Sequence, residues 1–490
     1  MKLILKIKIL FFFLTFLILN GCKKDNDSVL KIDSDDNAIN LEDELQISDF
    51  VWQGLNYFYY WQESVVKLSD SLLNDSEKYI EFINENSNPK EFFESLKHPD
   101  DRFSWIQEDY EELDNLLKGV FSSNGVEFQL ICYINCDQVI GIVKYILKDS
   151  DASEKNIKRG DIFYGVDGVN ITTKNYQELL NGDNLTYTLN MATIEDDGKL
   201  IANGINIELT KEENFESNPI QIEKIITINS EKIGYLMYNQ FVGNKTSLVN
   251  EAFGKFKNEG ITDLIIDLRY NGGGSVATCT AIASMITGQF KGEIFVKQNW
   301  NSKLTKYWNE KNPESLINKF SDKYDGNEPI NSLNLEKVYI LTTSESASSS
   351  ELLINGLKPY IDVIQIGEIT SGKNVGSITV YDYVDNDGTK NPYHKYAMQP
   401  IVLKMANSNG FDDYTDGLIP DIEVEEDLFN LGTLGDKKEF LISFAINQIT
   451  GSSKSNPKKI KFDRMKIMDP SMKKRQIMHL DIDYHDLINN

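Results

Sequence analysis

The chain has 490 residues, a formal charge of −25 and a hydrophobic content of 41%. That length exceeds a single compact core and calls for two to four domains, and the composition is that of a globular protein. The acidic balance argues against nucleic acid as a partner but does not name a substrate.

The amino terminus carries lysines at positions 2, 6 and 8, followed by the apolar run ILFFFLTFLIL at 9–19. A bilayer span needs about 20 apolar residues, so this run is too short to cross one and reads as a secretory signal peptide, residues 1–21. Leu19-Asn20-Gly21-Cys22 resembles the bacterial lipobox, although Asn20 stands where a small residue is usual. The resemblance implies cleavage before Cys22, lipidation of its thiol, and a place in the bacterial cell envelope, anchored in the outer membrane by lipid. Residues 22–42 are polar and acidic without an apolar period, as in a tether.

Residues 43–118 form a helical region. The segment ISDFVWQGLNYFYYWQESVV has aromatics at helical spacing, with Ser48 or Asp49 as a cap, and its aromatic stripe reads as packing surface. Residues 119–212 change to short alternating segments divided by Gly, Asn and Asp, a β-rich module. The order of its pieces resembles a PDZ domain. Gly125, Val126, Glu127 and Phe128 fall where that family has its carboxylate-binding loop, and SDASEKNIKRGDIFYGVDGVNI resembles its short helix, strand and Asp-Gly turn. The resemblance implies binding of an extended peptide, such as a chain's C terminus, by strand addition. The alternative is a β-domain that only packs on its neighbour. Cys132 and Cys136 flank a short turn in this module, and an exported protein meets oxidising conditions, so the spacing allows a disulfide across a hairpin. Cys279 lies in an apolar stretch and reads as a buried small hydrophobe.

Residues 213–450 alternate strands and helices. DLIIDLRY is nearly continuous in apolar character, as in a strand covered on both faces, and the whole reads as an α/β domain. The tail 451–490 is basic and weakly periodic and reads as a solvated extension.

The chemistry centres on SESASSSELL, residues 344–353, set between the strand-like KVYILTT and a helix-like segment. A serine hydroxyl needs a base within reach and donors for the oxyanion. Of the four histidines only His394 falls in the α/β domain, and there is no G-x-S-x-G elbow. A buried lysine can serve instead if burial strips its charge. Lys373, between glycines in SGKNVGS, meets that description in part, with Glu368 nearby in sequence as a possible obstacle. Neither HExxH nor a clustered Cys/His set is present, so neither metal nor cofactor is expected.

These residues resemble the C-terminal processing (tail-specific) serine peptidases. Ser346-Ala347-Ser348-Ser349-Ser350-Glu351 matches that family's Ser-Ala-Ser-x-Ser-Glu, which selects Ser348, and Lys373 follows 25 residues later, as in the family. DLRYNGGG matches its Asp-Leu-Arg motif and DGLIPDIEV its late Gly-x-Ile-x-Pro-Asp. The resemblance implies a crotonase/ClpP-like α/β peptidase core, a polypeptide substrate, Ser348 as nucleophile, Lys373 as base, and oxyanion donors from Ser349 and the Gly273–Gly274 turn. The family's better-known members carry Gln four residues after the lysine; Ser377 stands there instead and is the candidate lysine-orienting residue. Competing accounts are a catalytically decayed peptide-binding lipoprotein and, on fold alone, an acyl-CoA enzyme.

Overall fold

The structure is a computed structural model that describes residues 43–85, 88–133, 138–195, 198–452, 466–467, 476–482 and 485. The signal, Cys22 and the tether lie outside the described residues, as does Cys136. Cys132 is disulfide-bonded.

The centre of the molecule is a six-stranded sheet in the order Ile220–Ile228, Glu231–Tyr238, Asp263–Asp267, Lys337–Thr342, Asp362–Gly367, Ile422–Glu423. The first pair is antiparallel and the others are parallel. Parallel neighbours need crossovers, and helices supply them. Thr246–Glu259 ends at Gly260, whose left-handed φ of 65° closes the helix before Asp263–Asp267 begins. Ser349–Leu357 connects Lys337–Thr342 to Asp362–Gly367. Leu264, Ile265 and Ile266 are buried, because helices and loops cover both faces of their strand.

A second six-stranded sheet runs Gly274–Ser275, Met478–His479, Val375–Ser377, Ile401–Asn407, Ile294–Trp300, Ile317–Lys319. Its second strand comes from the basic tail. The reading of 451–490 as a solvated extension is therefore corrected for residues 476–480, all of them buried. Ile477, Met478 and Leu480 form a short apolar patch that a run of charges conceals, and burial of that patch on the core drives the strand into place.

Between residues 43 and 118 the chain forms helices over Asp43–Phe58, Ser76–Asn84, Pro89–Ser95 and Tyr110–Leu117, with one short strand at Trp105–Gln107. The first helix begins at Asp43, so Ser48 and Asp49 lie inside it rather than at its cap. Trp52, Phe58, Tyr59 and Phe93 are buried in one cluster with Phe253, Ile282 and Met478. These helices thus share the core of the α/β domain.

The β-rich module has its own core of Leu130, Val143, Phe163, Leu189 and Leu209. Its antiparallel sheet runs Val126–Tyr133, Gln138–Ile146, Ile162–Val166, Thr186–Ile194, Leu200–Thr210. The Asp167-Gly168 turn has positive φ at both residues, 51° and 81°, as a two-residue hairpin requires. Two cations, Lys144 buried and Arg159 partly so, tie the module to the α/β core. Lys144 Nζ lies 2.7 Å from Glu345 Oε2, and Arg159 Nη2 lies 2.6 Å from Glu426 Oε1.

Candidate active site

The serine-rich segment is a tight turn between the strand Lys337–Thr342 and the helix Ser349–Leu357. Ser344 is exposed, whereas Ser346, Ser348, Ser349 and Ser350 are fully buried. Three of the buried hydroxyls donate to backbone carbonyls: Ser346 to Leu268 at 2.8 Å, Ser349 to Gly274 at 2.7 Å and Ser350 to Asn271 at 2.9 Å. These three bonds hold the turn onto the glycine loop. Ser348 differs from them, since its Oγ has no hydrogen-bond partner among the described residues. It faces the first helical turn in the manner of a capping box but outside hydrogen-bond geometry. Its backbone, at φ 64° and ψ −115°, occupies a region that non-glycine residues rarely adopt. A buried hydroxyl without a partner on a strained backbone costs stability twice over, a pattern that concentrates at functional sites.

Lys373 sits in the loop between Asp362–Gly367 and Val375–Ser377 and is 2% exposed. Burial brings its amine down from the ordinary lysine range to about 7, while the charges of Asp101 and Glu351 push weakly the other way. No carboxylate oxygen among the described residues bonds the amine. The carboxylate of Glu368 instead accepts from the Ser344 N–H at 3.3 Å, which removes the obstacle its sequence position suggested. The Lys373 Nζ lies 4.9 Å from the centre of the Phe103 ring and donates to the Gln476 carbonyl at 2.6 Å.

Glu351 joins the two halves of the site. One of its oxygens accepts the N–H of Ser348 at 2.7 Å and that of Lys373 at 2.8 Å. The other accepts the N–H of Gly372 at 2.7 Å and the hydroxyl of Thr370 at 2.5 Å. The serine turn and the lysine loop therefore share one buried carboxylate, whose own pKa burial raises against these four bonds. Sequence reasoning placed Glu351 in a motif but gave it no role. The serine motif and the lysine loop lie about 20 residues apart in the chain, so no local pattern shows that the four donors converge on one side chain. The helical region adds a second unforeseen wall. Arg102 donates to the carbonyls of Gly372 at 2.8 Å and Thr415 at 3.0 Å, beside Phe103.

The glycine turn has positive φ at Gly273 (109°) and Gly274 (137°), conformations that side chains rarely adopt. A Cβ on Gly273 would lie 2.7 Å from Ser348 Cβ, so only glycine lets this turn meet the serine. The two N–H groups of this turn have different partners. That of Gly273 donates to Asn271 Oδ1 at 2.8 Å and holds the turn, whereas that of Gly274 donates into the cleft, to the Ile477 carbonyl at 2.5 Å. Ser349 stands at the first position of its helix, where a backbone N–H has no partner within the helix. Ser377 does not orient Lys373 directly. Its Oγ bonds Gln399 Oε1 at 2.7 Å and the Met478 carbonyl at 3.2 Å. Gly125 has φ 92°, and Val126, Glu127 and Phe128 line a cavity of about 910 Å³ between the β-rich module, the helical region and Ser344–Glu345. No cluster of His, Cys, Asp or Glu that could hold a metal occurs among the described residues. Cys279 is a buried free thiol, as its surroundings in sequence suggested.

A buried, unpartnered serine on a strand-to-helix turn, linked through a carboxylate to a buried lysine in an α/β core, defines the class as serine peptidase. Comparison with known proteins gives the family. The sequence model for Peptidase family S41 matches residues 232–424, and that for the Peptidase S41 N-terminal domain matches residues 46–105. The chain belongs to peptidase family S41, whose members are Ser-Lys dyad proteases. A probable CtpA-like serine protease of Staphylococcus epidermidis (strain RP62A) is 23% identical over 425 residues, covering 84% of this chain and 72% of that protein. One of the same description from Staphylococcus aureus (strain RF122) is 22% identical, covering 83% and 70%. A putative S41 protease from Bacteroides fragilis shares the fold, with a TM-score of 0.64 at 22% identity over 83% of this chain and 98% of that one.

Proposed function

We propose that this chain is an endopeptidase of the C-terminal processing type in which Ser348 is the nucleophile and Lys373 the general base. The observation that carries this reading is a fully buried lysine whose amine has no carboxylate partner among the described residues, tied through Glu351 to the one buried serine of the turn whose hydroxyl has no partner among them. Ser348 Oγ attacks the scissile carbonyl, and its proton passes to the neutral amine of Lys373. The resulting ammonium gives that proton to the nitrogen of the leaving chain as the peptide C–N bond breaks, which leaves a Ser348 ester. Water then attacks the ester, with Lys373 again taking and returning a proton. The N–H of Gly274, with that of Ser349 at the helix entrance, stabilises the oxyanion. Asp267, Arg269 and Asn271 support the turn. Arg269 is fully buried and ion-paired with Asp267, Glu426 and Glu439.

In this reading the β-rich module acts as a PDZ domain that binds extended polypeptide, and the cavity beside Val126–Phe128 reaches Ser344 and Glu345 on the turn that carries Ser348. Cys22 carries a lipid that holds the enzyme in the cell envelope. The hydrolase reading is tested with casein and purified wild type, Ser348→Ala and Lys373→Ala. Cleavage by wild type alone is expected, and equal behaviour of all three proteins contradicts the dyad. Radiolabelled palmitate incorporated in vivo by wild type and not by Cys22→Ala tests the anchor. Equal incorporation contradicts it.

A further inference from the structure

The tail strand lies in the cleft just described. Gln476 and Ile477 present consecutive carbonyls to the two groups that the proposed chemistry needs, the Lys373 amine at 2.6 Å and the Gly274 N–H at 2.5 Å. A Cβ added to Gly273 would lie 2.5 Å from the Ile477 oxygen and 2.9 Å from Ser348 Oγ, so carbonyl and hydroxyl flank the same small space. Further along, the Met478 carbonyl accepts from Ser377 Oγ at 3.2 Å, and the Leu480 N–H donates to the Ser377 carbonyl at 3.0 Å. Asp481 accepts from Ser275 Oγ at 2.5 Å. The strand fills the gap between Gly274–Ser275 and Val375–Ser377, pairing with both in parallel.

Most of these contacts are made by peptide groups, and any extended polypeptide could make them. The side chains of Ile477, Met478 and Leu480 are 3%, 0% and 4% exposed, so the cleft receives apolar side chains along the strand. Upstream, Gln476 opens into the cavity shared with the β-rich module, and Lys466–Ile467 adds a strand to that module's edge opposite Ile131 and Leu130. One tail therefore reaches both surfaces that a substrate would use. Lys373 donates to the tail while Ser348 Oγ has no partner among the described residues, so the base is engaged by the tail and not hydrogen-bonded to the nucleophile.

We propose that residues 476–482 are a tethered substrate mimic, an extended apolar strand that occupies the peptide-binding cleft and slows, without abolishing, the entry of polypeptide substrates, which must displace it. The proposal rests on Ser348 being the nucleophile, and its test separates the two ideas. The rate at which a fluorophosphonate labels Ser348 is measured in the full chain, in Asp481→Ala and in Leu480→Pro, with Ser348→Ala as the reference. Asp481→Ala removes one charge-assisted bond at an exposed position, and labelling is expected to quicken about tenfold. Leu480→Pro removes the N–H that bonds Ser377, and a larger increase is expected. A synthetic peptide of residues 476–482, added to Asp481→Ala, is expected to slow labelling again. Labelling of folded Asp481→Ala at the wild-type rate or below overturns the proposal, and so does a peptide without effect. If Leu480→Pro fails to fold, Asp481→Ala decides alone. Labelling of Ser348→Ala as fast as wild type contradicts the nucleophile assignment itself.

Discussion

Arg269 and Lys373 are both cations by default, and both are buried in the same α/β core. Arg269 is surrounded by the carboxylates of Asp267, Glu426 and Glu439 within 2.9 Å, with Tyr270 bonding Glu426 in the same network. Lys373 has a carbonyl and the face of a phenyl ring. Burial disfavours charge at both positions. At Arg269 the surrounding carboxylates reverse that penalty and the guanidinium stays charged; at Lys373 nothing comparable offsets it. Burial therefore does not decide whether a cation survives in the interior. The partner does, and the same core holds one structural cation and one amine available as a base.

The comparison can be broken at either cation. The largest effect is expected from Lys373→Arg, measured as kcat/KM for peptide hydrolysis. A guanidinium cannot lose its proton in a protein, so the variant should lose about 10⁴-fold or more, much as Lys373→Ala does. Substantial activity in Lys373→Arg would show that the position acts by charge rather than as a base. Arg269→Met should leave Lys373 chemistry alone but take the buried cation from Asp267 and Glu439 and leave Glu426 to Arg159, at a cost of about 3–5 kcal/mol in denaturant unfolding. Stability equal to wild type would contradict the assigned role.

Acid sharpens the contrast. Burial would raise the carboxyl of Glu426, but Arg269 and Arg159 overcome it and hold the group at about 2. A carboxylate whose folded pKa is depressed contributes stability that is complete above its unfolded value of 4.5 and is lost as pH falls toward 2. Unfolding should therefore become easier across that window, and Glu426→Gln should flatten the dependence. Lys373 works in the opposite direction and nearer neutrality. The base is active when neutral, so kcat/KM should rise with pH through about 7 and then level off. Each pH unit below that midpoint should cost about tenfold, the smallest of these effects. A rate that falls from pH 6 to pH 9 would contradict it.

Much of the site is legible in the sequence because it is local. Ser348 stands inside a motif of adjacent residues, the glycine turn follows a continuous apolar strand, and the spacing of Lys373 reflects one helix and one strand between the two loops. What escapes reading is what the fold alone brings together. Glu351 receives donors from two loops about 20 residues apart. Phe103 and Arg102 reach the lysine loop from a helical region about 270 residues earlier. The tail strand rests on three apolar side chains among charges, too few to register as a pattern, and its place between two strands depends on a gap that only the folded core creates. Ser377 shows the converse. Its position suggested contact with Lys373, but its hydroxyl bonds Gln399, which comes from a different strand.

The account depends on the Lys373 amine being uncharged near neutral pH. Its titration can be followed directly by the NMR shift of the lysine ¹³Cε, assigned by the signal missing in Lys373→Met. A midpoint near 7 is predicted, well below the ordinary lysine range. An amine that stays protonated to pH 10 would contradict the proposed mechanism.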